Sequence, residues 1–110
     1  MTPVPRFGLF GKFTAVPGQR DALAERLLAA AAMVADAPGC ELYLVHISPD
    51  DEDAVWVSEV WASEADHKAS LRVQGAAEFI KATMPLIAEI SDQVRTVPLG
   101  GKGLDQRTER

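Results

Sequence analysis

The sequence predicts an α+β fold in which four strands and two helices follow one another in the order β-α-β-β-α-β, with the second helix split. Two patterns favour this order: short aromatic and β-branched runs are separated by turn residues, among them two Pro-Gly pairs, and one long stretch repeats apolar residues at helical spacing. The length of 110 residues is typical of one domain. We therefore expect residues 1–110 to form a single domain, with its core over 7–99 and a polar tail over 100–110.

The first half of the chain predicts three strands and one helix. Residues 7–15 are rich in aromatics and end at a Pro-Gly turn, which indicates a strand followed by a turn. Apolar residues then recur at helical spacing and predict a helix over 19–36, ended by a second Pro-Gly pair. Two more strands are predicted over 40–48 and 54–62, joined by an acidic turn.

The second half predicts the split helix and the last strand. The hydroxyl of Ser63 is placed to cap a short helix over 64–73. Residues 76–90 continue with helical spacing, but Pro85 lies inside this stretch and should break or kink the helix. A fourth strand is predicted over 93–99. The economical architecture is a four-stranded antiparallel sheet with both helices on one face, the ferredoxin-like arrangement.

Neither face of the predicted sheet is polar. The predicted faces are Phe7, Leu9 and Phe13 against Phe10 on the first strand, Cys40, Leu42 and Leu44 against Tyr43, Val45 and Ile47 on the second, and Val55, Val57 and Trp61 against Trp56 and Val60 on the third. An antiparallel sheet with one solvated face should alternate between apolar and polar residues, and this one does not. Because two helices cover only one face, we expect a homodimer that packs its sheets face to face.

Composition narrows the possible partners. Sixteen acidic against eleven basic residues give a net charge of −5, which disfavours nucleic acid and anionic membranes as partners. No uncharged apolar run reaches the roughly 20 residues that span a bilayer, and no signal-peptide pattern opens the sequence, so we expect a cytoplasmic protein. The single cysteine, Cys40, provides no thiolate cluster for zinc, and nucleotide-binding fingerprints are missing. We therefore expect no metal and no cofactor.

Side chains that could carry chemistry gather at the third strand and the helices after it: Glu59, Trp61, Asp66, His67 and Lys81. Trp61 closes the strand just before the helix cap, where an indole would line a cavity between sheet and helix. The alternative is that Trp61 is simply part of the core. His67 is either a base that works near neutral pH or an ordinary surface residue.

Three segments resemble the antibiotic biosynthesis monooxygenase family, which includes members known as quinol monooxygenases. They are residues 8–18, the turn at 37–40, and residues 59–65, of which the run from Trp61 to Ala65 is the most telling. The resemblance covers nearly all of residues 7–99. It implies a ferredoxin-like fold that pairs into a dimeric α/β barrel.

The resemblance also implies oxygenation of a phenolic or quinol substrate with no metal, flavin or haem. Triplet oxygen reacts slowly with closed-shell organic molecules, but an electron-rich phenolate can itself supply the electron. The protein then needs an apolar cavity, hydrogen bonds to the phenolate and exclusion of water. The haem-degrading branch of this fold holds haem through an asparagine and a histidine. Gly11 and Ile80 stand at those positions, so the resemblance implies no haem site of that kind.

The same resemblance implies catalytic roles for three residues, Trp61, His67 and Lys81. Trp61 matches a tryptophan that lines the pocket in the antibiotic-tailoring branch. His67 stands where that branch has a tyrosine, and it would act as a base; Lys81 stands where it has an arginine, and it would attract a phenolate. Val57 stands in place of an asparagine, and Ser70 replaces a histidine of many quinol-oxidising members.

We expect Glu59, Val57, Phe79 and Met84 to line the substrate pocket. Three functions are compatible with these residues. The first is a cofactor-independent monooxygenase acting on a small quinol or phenol. The second is a non-catalytic dimeric binder of a small aromatic metabolite. The third is an isomerase on the same fold, in which His67 and Glu59 serve as acid and base.

Overall fold

The computed structural model describes residues 4–105. The elements are β1 (Phe7–Ala15), α1 (Arg20–Val34), β2 (Cys40–Ile47), β3 (Ala54–Trp61), α2 (Glu64–Ser70), α3 (Ala76–Thr83), a 3-10 turn (Met84–Leu86) and β4 (Ile87–Thr96). All strand pairs are antiparallel, and the strand order is β2-β3-β1-β4. The predicted ferredoxin-like architecture is thereby confirmed. No helix within residues 4–105 is long and apolar enough to cross a membrane.

The core lies where α1 packs on the middle of the sheet. Leu23 and Leu27 of α1 meet Val55 and Val57 of β3, and all four are at most 6% exposed. Each such side chain contributes about 1.5–3 kcal/mol through burial of its apolar surface. The predicted cap of α2 is also present, since the Ser63 hydroxyl accepts a hydrogen bond from the backbone amide of residue 66 at 3.1 Å.

The strand register assigns side chains to two faces, because directly opposed residues of antiparallel strands share a face. One row on the face toward the helices runs Tyr43, Glu59, Leu9 and Arg95, and the adjoining row on the other face runs Leu44, Ser58, Phe10 and Val94. We call the second face the outer face; it also carries Leu42, Trp56 and Val60. Phe10 stacks on Trp56 with ring centroids 5.1 Å apart. Lys12 and His46 flank Trp56 on this face, which is otherwise mostly apolar, and no helix within residues 4–105 covers it.

The structure corrects the boundary between the last helix and the last strand. We predicted a helix over 76–90 and a strand over 93–99, whereas α3 ends at Thr83 and β4 already begins at Ile87. Pro85 lies in the 3-10 turn between them, so the predicted break is real but the chain emerges from it as a strand. Residues 87–90 are thus strand and not helix.

A β-bulge explains why the helical pattern continued past the break. Ala15 pairs with Ile87 and Phe13 pairs with Ile90, although the two residues of β1 are two positions apart and the two residues of β4 are three positions apart. This irregularity lets Ile87 and Ile90 both reach the helix-covered side, at a spacing that a regular strand would not allow. A second bulge lies between Cys40 and Leu42 and sets Cys40 opposite Trp61. The alternation predicted for β2 therefore holds only from Leu42 onward.

The end of the chain was predicted to be a polar tail over residues 100–110. Within the described part, residues 101 and 104 form an isolated bridge, and most of this segment is exposed. Residues 106–110 lie outside the described residues.

Candidate active site

A cavity of about 260 Å³ lies between the sheet and the three helices. Its walls come from every helix and from all four strands. The lining residues are Phe13, Leu27, Ala30, Met33, Val34, Tyr43, Glu59, Trp61, His67, Ser70, Leu71, Val73, Ala76, Phe79, Ile80, Thr83, Met84, Ile87 and Ile90. Most are apolar, so the few polar groups in the wall determine what chemistry the cavity can perform.

Glu59 and Trp61 form the polar part of the sheet wall. Their spacing of two residues along β3 places both side chains on the helix-covered face. The indole nitrogen of Trp61 donates a hydrogen bond to Oε1 of Glu59 at 3.0 Å. Trp61 is fully buried, so this donor is held in place by packing on all sides. The second carboxyl oxygen of Glu59 is left for another partner.

His67 completes the group from the helix side. The Ser63 cap fixes the start of α2 and thereby sets where His67 points. Its Nε2 lies 3.8 Å from Oε1 of Glu59, and its ring packs against Phe7 at 5.0 Å and against the edge of Trp61 at 5.7 Å. The side chains of His67 and Glu59 are 15% and 14% exposed, so water has limited access to this pair.

Burial raises the pKa of Glu59 above its ordinary value of 4.5, while the hydrogen bond from Trp61 and the nearby His67 act in the opposite direction. Tyr43 stands directly across from Glu59 on β2. Burial, and then the charge of Glu59, raise the pKa of the Tyr43 phenol, so this phenol stays protonated. A carboxyl group with a raised pKa in an apolar cavity is suited to accept and return a proton.

Five of the seven predicted site residues line the cavity: Glu59, Trp61, His67, Phe79 and Met84. The structure brings the first three into one contact group and places the last two on the opposite wall, in and just after α3. Their proximity to one another fits the predicted roles, which stay predictions.

Two predicted site residues do not line the cavity. Val57 packs in the core against α1, next to Leu23 and Leu27. Lys81 is exposed on α3, so the predicted attraction of a phenolate by its ammonium group has no support in this geometry. Asp66, the remaining candidate, packs against the backbone of Gly39, where a Cβ atom would collide with the carboxyl group.

Two other features of the site could not be predicted from the sequence. Tyr43 faces Glu59, which the alternation of β2 indicated only once the register was known. Arg26 stacks on the ring of Phe79 at 4.0 Å and also donates to the Phe79 carbonyl and the Thr83 hydroxyl. This arginine fastens the cavity wall of α3 to α1. Among residues 4–105, no three His, Cys, Asp or Glu side chains gather closely enough to hold a metal ion.

Solved structures share this fold. A protein of Chloroflexus aurantiacus named for antibiotic biosynthesis monooxygenase is 44% identical over 91% of this chain and 99% of its own, with a TM-score of 0.83. SnoaB, a cofactor-independent oxygenase from Streptomyces nogalater, is 15% identical over 90% of this chain and 98% of its own, with a TM-score of 0.76. The likeness to SnoaB shows the fold alone. A comparison with curated proteins finds no match.

The sequence itself also matches a family profile. The profile for antibiotic biosynthesis monooxygenase covers residues 6–82, which include β1 through most of α3 and therefore Glu59, Trp61 and His67. The matched range includes all three segments that carried the predicted resemblance, residues 8–18, 37–40 and 59–65. The chain belongs to the antibiotic biosynthesis monooxygenase family.

Proposed function

We propose that this protein is a monooxygenase that uses molecular oxygen to oxidise a small phenol or quinol without a cofactor. The observation that carries the proposal is the contact group of Glu59, Trp61 and His67 in the wall of an otherwise apolar cavity. Membership of the family and the fold shared with a cofactor-independent oxygenase support the reaction class.

The reaction needs only the substrate and oxygen. A ring hydroxyl transfers its proton to the site, and the resulting phenolate gives one electron to O2, which yields an aryloxyl radical and superoxide. The two radicals form a C–O bond at a ring carbon that bears hydrogen, and the peroxide takes up the proton. Loss of the ring proton and cleavage of the O–O bond release water. In sum, a quinol and O2 give a hydroxylated quinone and water.

The residues divide this work between them. Glu59 accepts the hydroxyl proton with its free carboxyl oxygen, while the indole of Trp61 holds the other oxygen in place. His67, whose Nε2 lies 3.8 Å from Oε1 of Glu59, supplies a second polar group beside the developing phenolate. The apolar walls exclude water, which strengthens these interactions and protects the radical pair.

Oxygen uptake tests the proposal. Metal-free protein is given benzo- and naphtho-hydroquinones, and the rate is compared with autoxidation in the same buffer. We expect saturable uptake that Trp61→Phe and His67→Ala each lower by about 10- to 1,000-fold, because each variant removes one hydrogen-bonding or charged group beside the substrate. A rate no higher than autoxidation with every hydroquinone would contradict the proposal.

The Glu59–His67 pair also favours a second function. Two proton-transferring groups 3.8 Å apart could move a proton between two carbons of a carbonyl substrate and so catalyse an isomerisation. Conversion of a substrate under nitrogen, at the same rate as in air, would select this function.

We also propose that two copies pair through the outer face. Phe10, Leu44 and Val94 lie in one row of this face and are 41–49% exposed, which is typical of an unpaired interface. We expect a dimer by analytical ultracentrifugation, and a shift to monomer in Phe10→Asp because a charge would be buried without a partner. Leu28→Asp, on an exposed position of α1, is the control and should stay dimeric. A wild-type monomer at micromolar concentration would refute the pairing.

A further inference from the structure

One hydroxyl group in the cavity wall is left without a hydrogen-bond partner inside residues 4–105. Three hydroxyl side chains line the cavity, those of Tyr43, Ser70 and Thr83. Ser70 donates to the carbonyl of residue 67 at 2.6 Å, and Thr83 donates to the carbonyl of residue 79 at 2.8 Å. The phenol of Tyr43 has no such bond within the described part of the chain. Because polar groups removed from water are normally hydrogen-bonded, this hydroxyl is available to a ligand.

Packing fixes the position of this phenol. Tyr43 lies on the helix-covered face of β2, and its ring packs against the apolar core to which Leu27 and Val57 belong. A tyrosine side chain has two main torsions, so packing of the ring also fixes where the hydroxyl lies. The donor is therefore in place before a ligand arrives, and a donor held in place in this way is effective in catalysis.

Tyr43 is also the cross-strand neighbour of the proposed proton acceptor. It stands directly opposite Glu59, and opposed side chains on one face of a sheet have Cβ atoms about 4.5–5.5 Å apart. The two side chains form no hydrogen bond with each other, and Glu59 accepts from the indole of Trp61 instead, at 3.0 Å. The hydroxyl of Tyr43 and the second carboxyl oxygen of Glu59 are thus both left for a third partner.

The two neighbours differ in how firmly they hold a proton. Burial, and then the negative charge of Glu59, raise the pKa of the Tyr43 phenol above its ordinary value of 10.0. The pKa of Glu59 is raised as well, but from an ordinary value of only 4.5. Tyr43 therefore keeps its proton where Glu59 has lost its own. Side by side, they offer a ligand a lasting hydrogen-bond donor and a proton acceptor.

We propose that Tyr43 is a further catalytic residue, whose hydroxyl donates a hydrogen bond to the substrate oxygen from which Glu59 takes the proton. The O–H bond of the substrate breaks, a new O–H bond forms on Glu59, and Tyr43 keeps its own proton. A hydrogen bond to an ionised acceptor is roughly twice as strong as one to a neutral acceptor. Tyr43 thus stabilises the phenolate more than the phenol and favours the proton transfer. This role rests on the proposed function, since it needs a substrate with an acidic hydroxyl.

The ionisation of a bound phenol tests this role apart from turnover. The probe is para-nitrophenol, whose phenol and phenolate forms absorb at different wavelengths, bound under nitrogen at saturating protein. At a given pH, we expect the ratio of bound phenolate to bound phenol to fall about 10- to 100-fold in Tyr43→Phe, because one hydrogen bond to a charged group is lost. The variant keeps the ring and removes only the hydroxyl.

Oxygen uptake with hydroquinones gives the second readout. Tyr43→Phe is expected to lower kcat by about 100- to 1,000-fold, the usual cost of removing one donor to a developing negative charge. KM should change far less, because the bond strengthens only after the proton has moved. Tyr43→Phe should unfold at the same urea concentration as the wild type, since its hydroxyl has no partner within residues 4–105. A purely structural role for the hydroxyl would move the urea midpoint instead.

Ser48→Ala is the matched control. It removes a hydroxyl from the turn after β2, where the Ser48 side chain accepts a hydrogen bond from the amide of residue 50 outside the cavity. The ratio of bound phenolate to phenol and kcat should both stay at the wild-type values in this variant.

The outcomes separate the role of Tyr43 from the proposed function. A ratio of bound phenolate to phenol that is unchanged in Tyr43→Phe would overturn the role, and so would an unchanged kcat in a wild type that consumes oxygen. If the ratio falls in Tyr43→Phe but no hydroquinone is oxidised, the donor role is supported and the monooxygenase is contradicted. If oxygen is consumed and neither readout changes in Tyr43→Phe, the monooxygenase stands without Tyr43.

Discussion

Replacing Glu59 by glutamine is expected to lower the rate of oxygen uptake by about 100- to 10,000-fold, the usual contribution of a general base. Glutamine has nearly the same shape, and its carbonyl oxygen can still accept the hydrogen bond from Trp61. It cannot accept a proton. The loss should therefore appear in kcat, while the affinity measured by calorimetry under nitrogen stays close to that of the wild type.

The rate of oxygen uptake is also expected to depend on pH, because it requires the ionised form of Glu59. Only the ionised carboxylate accepts a proton, so uptake by the wild type should fall as the pH drops through the raised pKa of Glu59, which lies above 4.5. In Glu59→Gln this fall should vanish. Glu78→Gln removes an exposed carboxylate of α3 outside the cavity and should keep both the rate and the profile. If Glu59→Gln retains the wild-type rate and His67→Ala abolishes it, then His67 is the proton acceptor.

Replacing Trp61 by alanine is expected to lower the free energy of unfolding by about 3–5 kcal/mol, the range measured for aromatic-to-alanine changes in protein cores. The side chain is fully buried and also holds Glu59. Trp61→Phe keeps most of the packing and should cost less, chiefly through the lost hydrogen bond. Urea unfolding curves measure both values.

The control for this prediction is Leu28→Ala, which should change the free energy of unfolding by no more than about 0.5 kcal/mol because the side chain is largely exposed. A loss of less than about 1 kcal/mol in Trp61→Ala would show that the region around the indole can collapse onto the space it leaves. Such a result would favour a wall that is soft enough to close around small ligands.

Much of the fold could be predicted because most elements carry a local signal. The Pro-Gly turns, the long periodic stretch of α1 and the Ser63 cap each act within a few residues of the chain. The start of β4 carries no such signal. Residues 87–90 fit a helix by spacing, and only pairing with β1 across a bulge makes them a strand. That pairing joins residues more than seventy positions apart, which local pattern does not encode.

The candidate site divides in the same way. Glu59, Trp61 and His67 follow from the alternation of β3 and from the cap of α2, both of which are local. The placement of Lys81 does not. α3 turns its positions 76, 79, 80 and 83 toward the cavity, and Lys81 follows the third of these by one residue, roughly 100° further around the axis. Without the orientation of that helix, the sequence cannot tell an inward lysine from an outward one.

Burial of Glu59 also has a thermodynamic consequence for the whole chain. A carboxyl group that binds its proton more tightly when folded than when unfolded favours the folded state most at low pH. That contribution is complete below the unfolded value of 4.5 and is lost as the pH rises through the folded value. The ionised form, which the proposed reaction requires, is therefore the less stable one. The buried apolar side chains of the Leu23–Val55 core must offset this difference. The stability of the fold is thus greatest with Glu59 protonated, whereas the proposed reaction needs Glu59 ionised.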